Sequence, residues 1–303
     1  MSEPILVLGA SGQLGQALQT EAMALPMMQR QRFSFIPRAA LDVTDQTALG
    51  RCLRQHDPAI IINACGYTAV EQAEQHPAQA YQVNQQLVTV LSHYAKATGA
   101  ALLHFSTDYV FNGVKQQPYT ETDSTAPLNH YGKSKLAGEQ AMLSIAPAGL
   151  ILRTSWLYSE FGHNFVRSIW QKIQRGEPLK VVVDQIGSPT YARELAALCI
   201  RLVTAERFAS RFATTQLLHC AGQGFCSWYQ LTQEMLKHSI RQINLSAVSS
   251  QQWPSNVVRP AYSALSSQQL QQQLGFSLPP WQQSLANCLQ QIKAVHNVKG
   301  HSE

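Results

Sequence analysis

Short apolar runs alternate with longer amphipathic stretches through the first half of the chain. Ile5–Leu8, Phe33–Ile36, Ile60–Ile62, Ala101–Phe105 and Gly149–Arg153 are brief and nearly continuous in apolar or small residues. That pattern suits strands covered on both faces. Between them, apolar residues recur every three or four positions over Leu14–Ala24, Asp45–Gln55, Pro77–Thr98 and Tyr131–Met142. This is the helical period. Strand followed by helix, repeated along the chain, predicts an α/β fold with a doubly wound parallel sheet.

The rhythm loosens after Ser155. Helices are expected over Asn164–Gln174 and Ala192–Thr204, and strands over Leu179–Val183 and Leu217–Cys220. Further on, Leu265, Leu270 and Leu274 are read as an apolar stripe. Gln268, Gln269, Gln271, Gln272 and Gln273 would form its solvated face. No Pro/Gly linker marks a boundary, and there are no internal repeats.

Composition narrows the function classes. With 303 residues, 45% hydrophobic and 14% charged, the chain can bury a large core. It is long enough for one large domain or two unequal ones. The 23 basic residues against 18 acidic ones are scattered, so a nucleic-acid partner is not expected. Six cysteines form no C-x-x-C pair, and ten histidines form no metal-type cluster with them. A reduced, cytoplasmic chain without a structural metal follows. No 18-residue apolar run exists, and the N-terminus leads directly into a strand. Neither a signal peptide nor a membrane partner is expected.

The first apolar run ends in "GASGQLG", placing Gly9, Gly12 and Gly15 between strand and helix. Gly9 permits the tight turn, Gly12 lets backbone approach a pyrophosphate, and Gly15 lets the helix pack close to the sheet. Backbone N–H groups at a helix start favour phosphate. A Rossmann-type dinucleotide site is therefore expected. The second strand leads into "FSFIPRAA" with no acid for the adenine ribose, but with Arg38. NADPH is accordingly favoured over NADH, with either able to bind. Asp42 in "LDVTD" reaches adenine or caps the following helix. After the third strand, Ala64, Cys65 and Gly66 are small enough to let backbone lie along a cofactor. Cys65 has no evident base beside it and is not read as a nucleophile.

The polar stretch from Ser106 to Gln140 carries the candidate chemistry. Tyr131 and Lys135 are spaced i, i+4 and share a helix face. A nearby ammonium is expected to lower the tyrosine pKa and favour proton transfer. Thr107 ends the preceding strand, where ligands of such sheets gather. Its hydroxyl is expected to bind a substrate carbonyl oxygen while Tyr131 donates a proton.

Together with the glycine turn, these residues resemble the extended short-chain dehydrogenase/reductase family. "STDYVFNG", "YGKSKLAGE", "LRTSWLYSEFGHNF" and "DQIGSPTYA" resemble its branch that reduces the 4-keto group of dTDP-linked 6-deoxyhexoses. The likeness runs to "LGFSLPPWQQSL". It implies a nucleotide-binding domain over 1–155, to which later segments return, and a smaller C-terminal substrate-binding lobe over 156–303. It implies Gly12, Gln13 and Leu14 at the pyrophosphate, and Asp42 with Val43 near adenine. Ala64, Gly66, Tyr67, Thr68 and Phe105 would lie along the cofactor. Thr107, Tyr131 and Lys135 would be catalytic, with Thr107, Asp108 and Trp156 on the dTDP-sugar. Arg259, in "VRPAYSALS", would be an anion contact, although Tyr262 stands where the family carries asparagine. Some members are dimers bridged by magnesium through glutamates, one of them two residues past the third glycine. Here that position is Ala17, although Glu194 could supply another ligand, so a monomer or weak homodimer is expected.

Two other readings share part of this pattern. One is another sugar-nucleotide dehydratase or epimerase; a dehydratase would follow the threonine with Asp-Glu, whereas here Asp108 is followed by Tyr109. A non-catalytic subunit resembling the regulatory subunit of methionine adenosyltransferase has no need of the intact Thr107, Tyr131 and Lys135.

Overall fold

The computed structural model describes residues 3–205 and 208–299, with side chains through 294. Positions 1–2, 206–207 and 300–303, which the two expected domain ranges include, lie outside the described residues.

The first half follows the apolar periodicity. Its elements are β1 (Ile5–Leu8), α1 (Gln13–Met23), α2 (Met27–Arg30), β2 (Phe33–Ile36), α3 (Gln46–His56), β3 (Ile60–Asn63), α4 (Val70–Gln75), α5 (Pro77–Tyr81), α6 (Leu87–Thr98), β4 (Ala101–Thr107), α7 (His130–Ile145) and β5 (Gly149–Thr154). Asp45 caps α3, accepting from Thr47 and Ala48 N–H, and Asn129 caps α7, accepting from Gly132 N–H. The expected single helix over Pro77–Thr98 differs in its middle. A π-helical turn at Gln82–Gln86 separates α5 from α6. Periodicity cannot register it, because one inserted residue shifts the phase without removing the apolar positions.

The second half holds β6 (Leu157–Tyr158), α8 (Phe165–Arg175), β7 (Leu179–Val182), β8 (Ile186–Gly187), β9 (Thr190–Tyr191), α9 (Ala192–Thr204), α10 (Phe208–Arg211), β10 (Gln216–His219), β11 (Cys226–Ser227), α11 (Trp228–Lys237), β12 (Leu245–Val248), α12 (Gln268–Leu274) and α13 (Trp281–Lys299). The expected stripe of Leu265, Leu270 and Leu274 is corrected here. Only Leu270 and Leu274 lie on α12, while Leu265 precedes it and packs with Phe111 and Tyr119. Ser267 begins the helix, so Leu265 is too early to share its face.

The main sheet has six parallel strands in the order β10-β5-β4-β3-β1-β2. One face buries Val7, Ile62 and Leu103 against α1 and α9, through Leu18 and Leu195. The opposite face buries Leu6, Ile61 and Leu102 against α3 and α6. The chain leaves β1 for β2 on one side and returns to β3 on the other. That reversal opens a crevice beyond the strand ends, where ligands of such sheets bind. A separate apolar cluster joins α8, α11 and α13 through Trp170, Leu231 and Leu285. It stands beside the crevice on the β4–β5 side, tied in by short strand pairs such as β6–β9 and β8–β11.

Candidate active site

Two adjoining cavities occupy the crevice. The larger, about 780 Å³, has Arg38, Asp42 and Val43 at one end, and Gly9, Gly12, Ala64, Gly66, Tyr67 and Thr68 along its floor. The smaller, about 390 Å³, shares Gly12, Ala64, Gly66 and Thr68. It continues to Gln13, Leu14, Phe105, Thr107, Asp108, Tyr131, Lys135 and Trp156. Segments far apart in sequence thus form one elongated cleft.

The glycine turn has the form a dinucleotide requires. Gly9 sits at φ +82, and a Cβ there would lie 2.8 Å from the Ala64 carbonyl carbon. At Gly15 a Cβ would lie 2.2 Å from the Gly9 carbonyl oxygen, so this glycine packs the helix and does not line either cavity. Gly12 is different: a Cβ would meet only the Gly9 carbonyl oxygen, at 3.4 Å. Its open side faces the cleft at the start of α1, where backbone N–H groups favour phosphate. The donors and shape fit a pyrophosphate. Asp42 lies in this cavity and accepts from Thr44 N–H and Oγ1 at 2.9 and 2.7 Å. It does not cap α3, which is the work of Asp45. Burial pushes the Cys65 thiol up to about 12, with Lys135 acting in the opposite direction, which leaves it unreactive at neutrality.

Several buried side chains fix the reaction end. Arg153 forms a two-pronged pair with Glu139, at 2.9 and 2.6 Å, tying α7 to β5. Asn84, in the π turn, accepts from Tyr67 N–H at 2.9 Å and donates to Tyr67 O and Ser134 Oγ. Ser134 Oγ donates to Tyr131 O at 2.8 Å. The cofactor-side loop and the turn holding Tyr131 are therefore linked through one amide.

Lys135 Nζ donates to Phe105 O at 2.5 Å. Burial pulls its pKa down to about 8, against the pull of Glu139. The Tyr131 phenol and Thr107 line the same cavity, and Thr107 Oγ1 donates to Asp108 Oδ1 at 3.1 Å. Burial raises the Tyr131 pKa, and that effect exceeds the lowering by Thr107. The expectation that Lys135 depresses it is therefore corrected: with Nζ turned to the Phe105 carbonyl, burial dominates. Asp108 is pushed up to about 6 by burial, partly offset by Ser263, Thr107 and Ser155 hydroxyls.

Trp156 forms one wall of the smaller cavity. Its φ of +47 is unusual for so bulky a residue. One indole face lies on Gly187, where a Cβ would come within 2.3 Å of the ring. The other stacks on Trp228, with centroids 3.4 Å apart and planes at 3°. Such backbone strain tends to collect at ligand sites. Sequence reasoning missed Trp228, His163, Asn164 and Phe165 as lining residues. Only Asn164 had a local signal, since it caps α8 by accepting from Arg167 N–H. Arg259 lines neither cavity; its guanidinium pairs with Glu71 and contacts Tyr109 Oη at 3.4 Å.

The family described as RmlD substrate binding domain matches residues 2–294. The chain belongs to this family. It is 36% identical over 290 residues to the dTDP-4-dehydrorhamnose reductase of Aggregatibacter actinomycetemcomitans, covering 93% of this chain and 97% of that one. It is also 36% identical over 296 residues to the Escherichia coli K12 enzyme of the same name, covering 95% and 97%. Among solved structures, the dTDP-4-dehydrorhamnose reductase of Bacillus anthracis in complex with NADP superposes with a TM-score of 0.88. That pair is 31% identical, covering 96% of this chain and 100% of the other. Family and fold agree with the glycine-lined crevice. Among the described residues, no helix is long and apolar enough to cross a membrane.

Proposed function

We propose that this protein reduces the 4-keto group of dTDP-4-dehydro-L-rhamnose to give dTDP-L-rhamnose, using NADPH or NADH. The observation that carries this reading is the convergence of Thr107, Tyr131 and Lys135 in a cavity continuous with the glycine cradle. A bound nicotinamide supplies the hydride. The protein's residues handle the oxygen and its proton. Thr107 and the Tyr131 phenol, which line the same cavity, hold the ketone oxygen, the Thr107 hydroxyl turning to it from Asp108. As charge grows on that oxygen, Tyr131 gives up its phenolic proton and the product leaves as an alcohol. Burial raises the phenol pKa, which keeps the proton in place until the oxygen becomes basic enough to take it. Lys135, one turn along the same helix, keeps its ammonium on the Phe105 carbonyl at the cavity wall, where it would hold the nicotinamide ribose. Trp156, its indole packed between Gly187 and Trp228, forms the wall beside the deoxysugar.

The same proposal assigns Gly9, Gly12, Gln13 and Leu14 to the pyrophosphate, with Gly15 acting through packing. Asp42 and Val43 lie on the adenosine side, and Arg38 is placed to meet a 2′-phosphate. Residues 1–155 with returning later segments form the nucleotide-binding domain, and the cluster around Trp170 and Leu285 forms the core of the substrate lobe. The chain acts as a monomer or weak homodimer without a magnesium bridge, because Ala17 is buried against the sheet and offers no ligand. Sedimentation with and without a chelator tests that point.

A dehydratase reading is disfavoured because Tyr109 supplies no second carboxylate beside Asp108. The deciding experiment mixes purified protein with NADPH and the 4-keto sugar nucleotide and follows nicotinamide absorbance. Stoichiometric oxidation is expected. Conversion of dTDP-glucose to a 4-keto-6-deoxy product without added nicotinamide would overturn the reading.

A further inference from the structure

The Tyr131 ring needs a fixed attitude to deliver a proton, yet Lys135 does not set it, since its ammonium is committed to the Phe105 carbonyl. The aromatic neighbour is Tyr109. The two rings meet edge to face, with centroids 5.6 Å apart and planes at 72°. Tyr109 is also locked through its backbone. Its N–H donates to Thr107 Oγ1 at 3.2 Å. Its carbonyl oxygen lies where a Cβ on Gly132 would sit 2.2 Å away, so it packs against the first turn of α7. Tyr109 does not line the smaller cavity, and so does not reach the substrate from there.

The far end of Tyr109 meets Arg259, whose Nη1 lies 3.4 Å from the phenol oxygen. Arg259 is itself held from two sides. Its guanidinium pairs with Glu71 of α4. The preceding residue is tied to the α7 cap, with Asn129 Nδ2 donating to Val258 O at 3.0 Å. Helix α4 reaches the same cap through Glu74, which accepts from His130 N–H at 2.5 Å. The loop, α4 and the start of α7 therefore form one closed frame around Tyr109. Glu71 is 56% exposed, and an exposed ion pair adds little to stability. The effect of the frame is geometric.

We propose that Tyr109 is a positioning residue for the Tyr131 phenol, and that Arg259, held by Glu71, fixes Tyr109. This rests on the reading of Tyr131 as the proton donor. It replaces the sequence-based expectation of Arg259 as an anion contact with a role exerted through two aromatic rings.

Steady-state kinetics with NADPH and the 4-keto sugar nucleotide test it, alongside direct NADPH titration. Tyr109→Leu is expected to lower kcat by roughly 10–100-fold, because small displacements of a reacting group have costs of that order. Its NADPH Kd should stay within about twofold. Tyr109→Phe keeps the ring contact and loses the tether, so about a threefold to tenfold loss is expected, matched by Arg259→Gln. Combining those two should be no worse than the worse single change, since they break one linkage. In a Tyr131→Phe background, Tyr109→Leu should leave the residual rate unchanged. Tyr109→Phe and Arg259→Gln keep the test decisive even if Tyr109→Leu fails to fold. The proposal is overturned if Arg259→Gln raises only the sugar KM, or if Tyr109→Leu costs the same with and without the Tyr131 hydroxyl. A Tyr131→Phe enzyme that remains fully active instead overturns the donor assignment, and is measured first.

Discussion

The two ends of the cleft are built from different materials. The cofactor end is mostly backbone: Gly9, Gly12, Ala64 and Gly66 present peptide groups at two strand ends. The reaction end is mostly side chains: Thr107, Asp108, Tyr131, Lys135 and Trp156, held by buried polar partners such as Arg153 and Asn84. A backbone surface recognises shape and phosphate, and fails when something fills it. A side-chain surface performs proton chemistry, and fails when one atom is removed. The largest effect should come from a single atom at the reaction end. Tyr131→Phe is expected to lower kcat by about 10²–10⁴-fold, the usual contribution of a general acid. NADPH affinity and thermal stability should be nearly unchanged. Retention of more than about half the turnover would break the contrast, because it would leave proton transfer with no essential side chain.

At the other end, adding atoms is the informative change. Gly12 has φ −71, which any residue adopts, and space for a Cβ within the protein. Gly12→Val is expected to fold normally yet weaken NADPH binding at least about tenfold, or 1.4 kcal/mol. Gly9→Val is the control. Its φ of +82 and 2.8 Å approach to Ala64 make the loss mainly one of stability. Melting curves and cofactor titrations on both variants separate shape from fold. Equal loss of stability in the two would erase the distinction.

The same division explains what could be read from the sequence. The cofactor end lies on strands β1, β3 and β4, whose apolar runs stand out, and its glycines follow at fixed offsets. The Tyr131/Lys135 spacing is equally local because one helix carries both. The wall opposite is not local. Trp228 meets Trp156 only because β11, a two-residue strand, pairs with β8. Pairs this short leave no alternation to detect. The π turn that turns Asn84 inward keeps its apolar neighbours and so hides inside a helical pattern. Arg259 was legible as a basic residue in a loop, but its partner Glu71 lies on a helix far earlier in the chain. Spacing reports the proximity of Lys135, whereas the direction of the Tyr131 pKa follows burial, which depends on everything packed around the ring.

A pH-dependent effect sharpens the electrostatic side of the comparison. Burial holds the Asp108 carboxyl up at about 6, from an ordinary 3.8. Between those values the folded protein keeps a proton that the unfolded chain has lost. Stability contributed by this group therefore falls as pH rises through that window, and the cost is complete above about pH 6. Asp108→Asn should raise stability above pH 6 by up to about 3 kcal/mol and give no gain below about pH 4. Melting temperatures of both proteins across that range check the sign. A gap independent of pH would mean that Asp108 is not a buried, unwillingly charged group.

The smallest expected effect lies at the far cofactor end, where a side chain does enter. Arg38 is exposed, its backbone N–H donating to Ser11 Oγ at 3.2 Å, and it lines the larger cavity with Asp42. An exposed guanidinium meeting a phosphate works in high dielectric, so its contribution is limited to about 1 kcal/mol, or roughly fivefold in Kd. Arg38→Ala should weaken NADPH by that factor and leave NADH unchanged, because only NADPH carries the 2′-phosphate. The difference should shrink with added salt, as the pair is open to screening. Titrating both cofactors at two ionic strengths separates this from a general change in the pocket. If both weaken together, Arg38 shapes the adenosine wall and does not read the phosphate. If the wild type clearly prefers NADH, the 2′-phosphate argument fails, and Asp42 becomes the residue to test next.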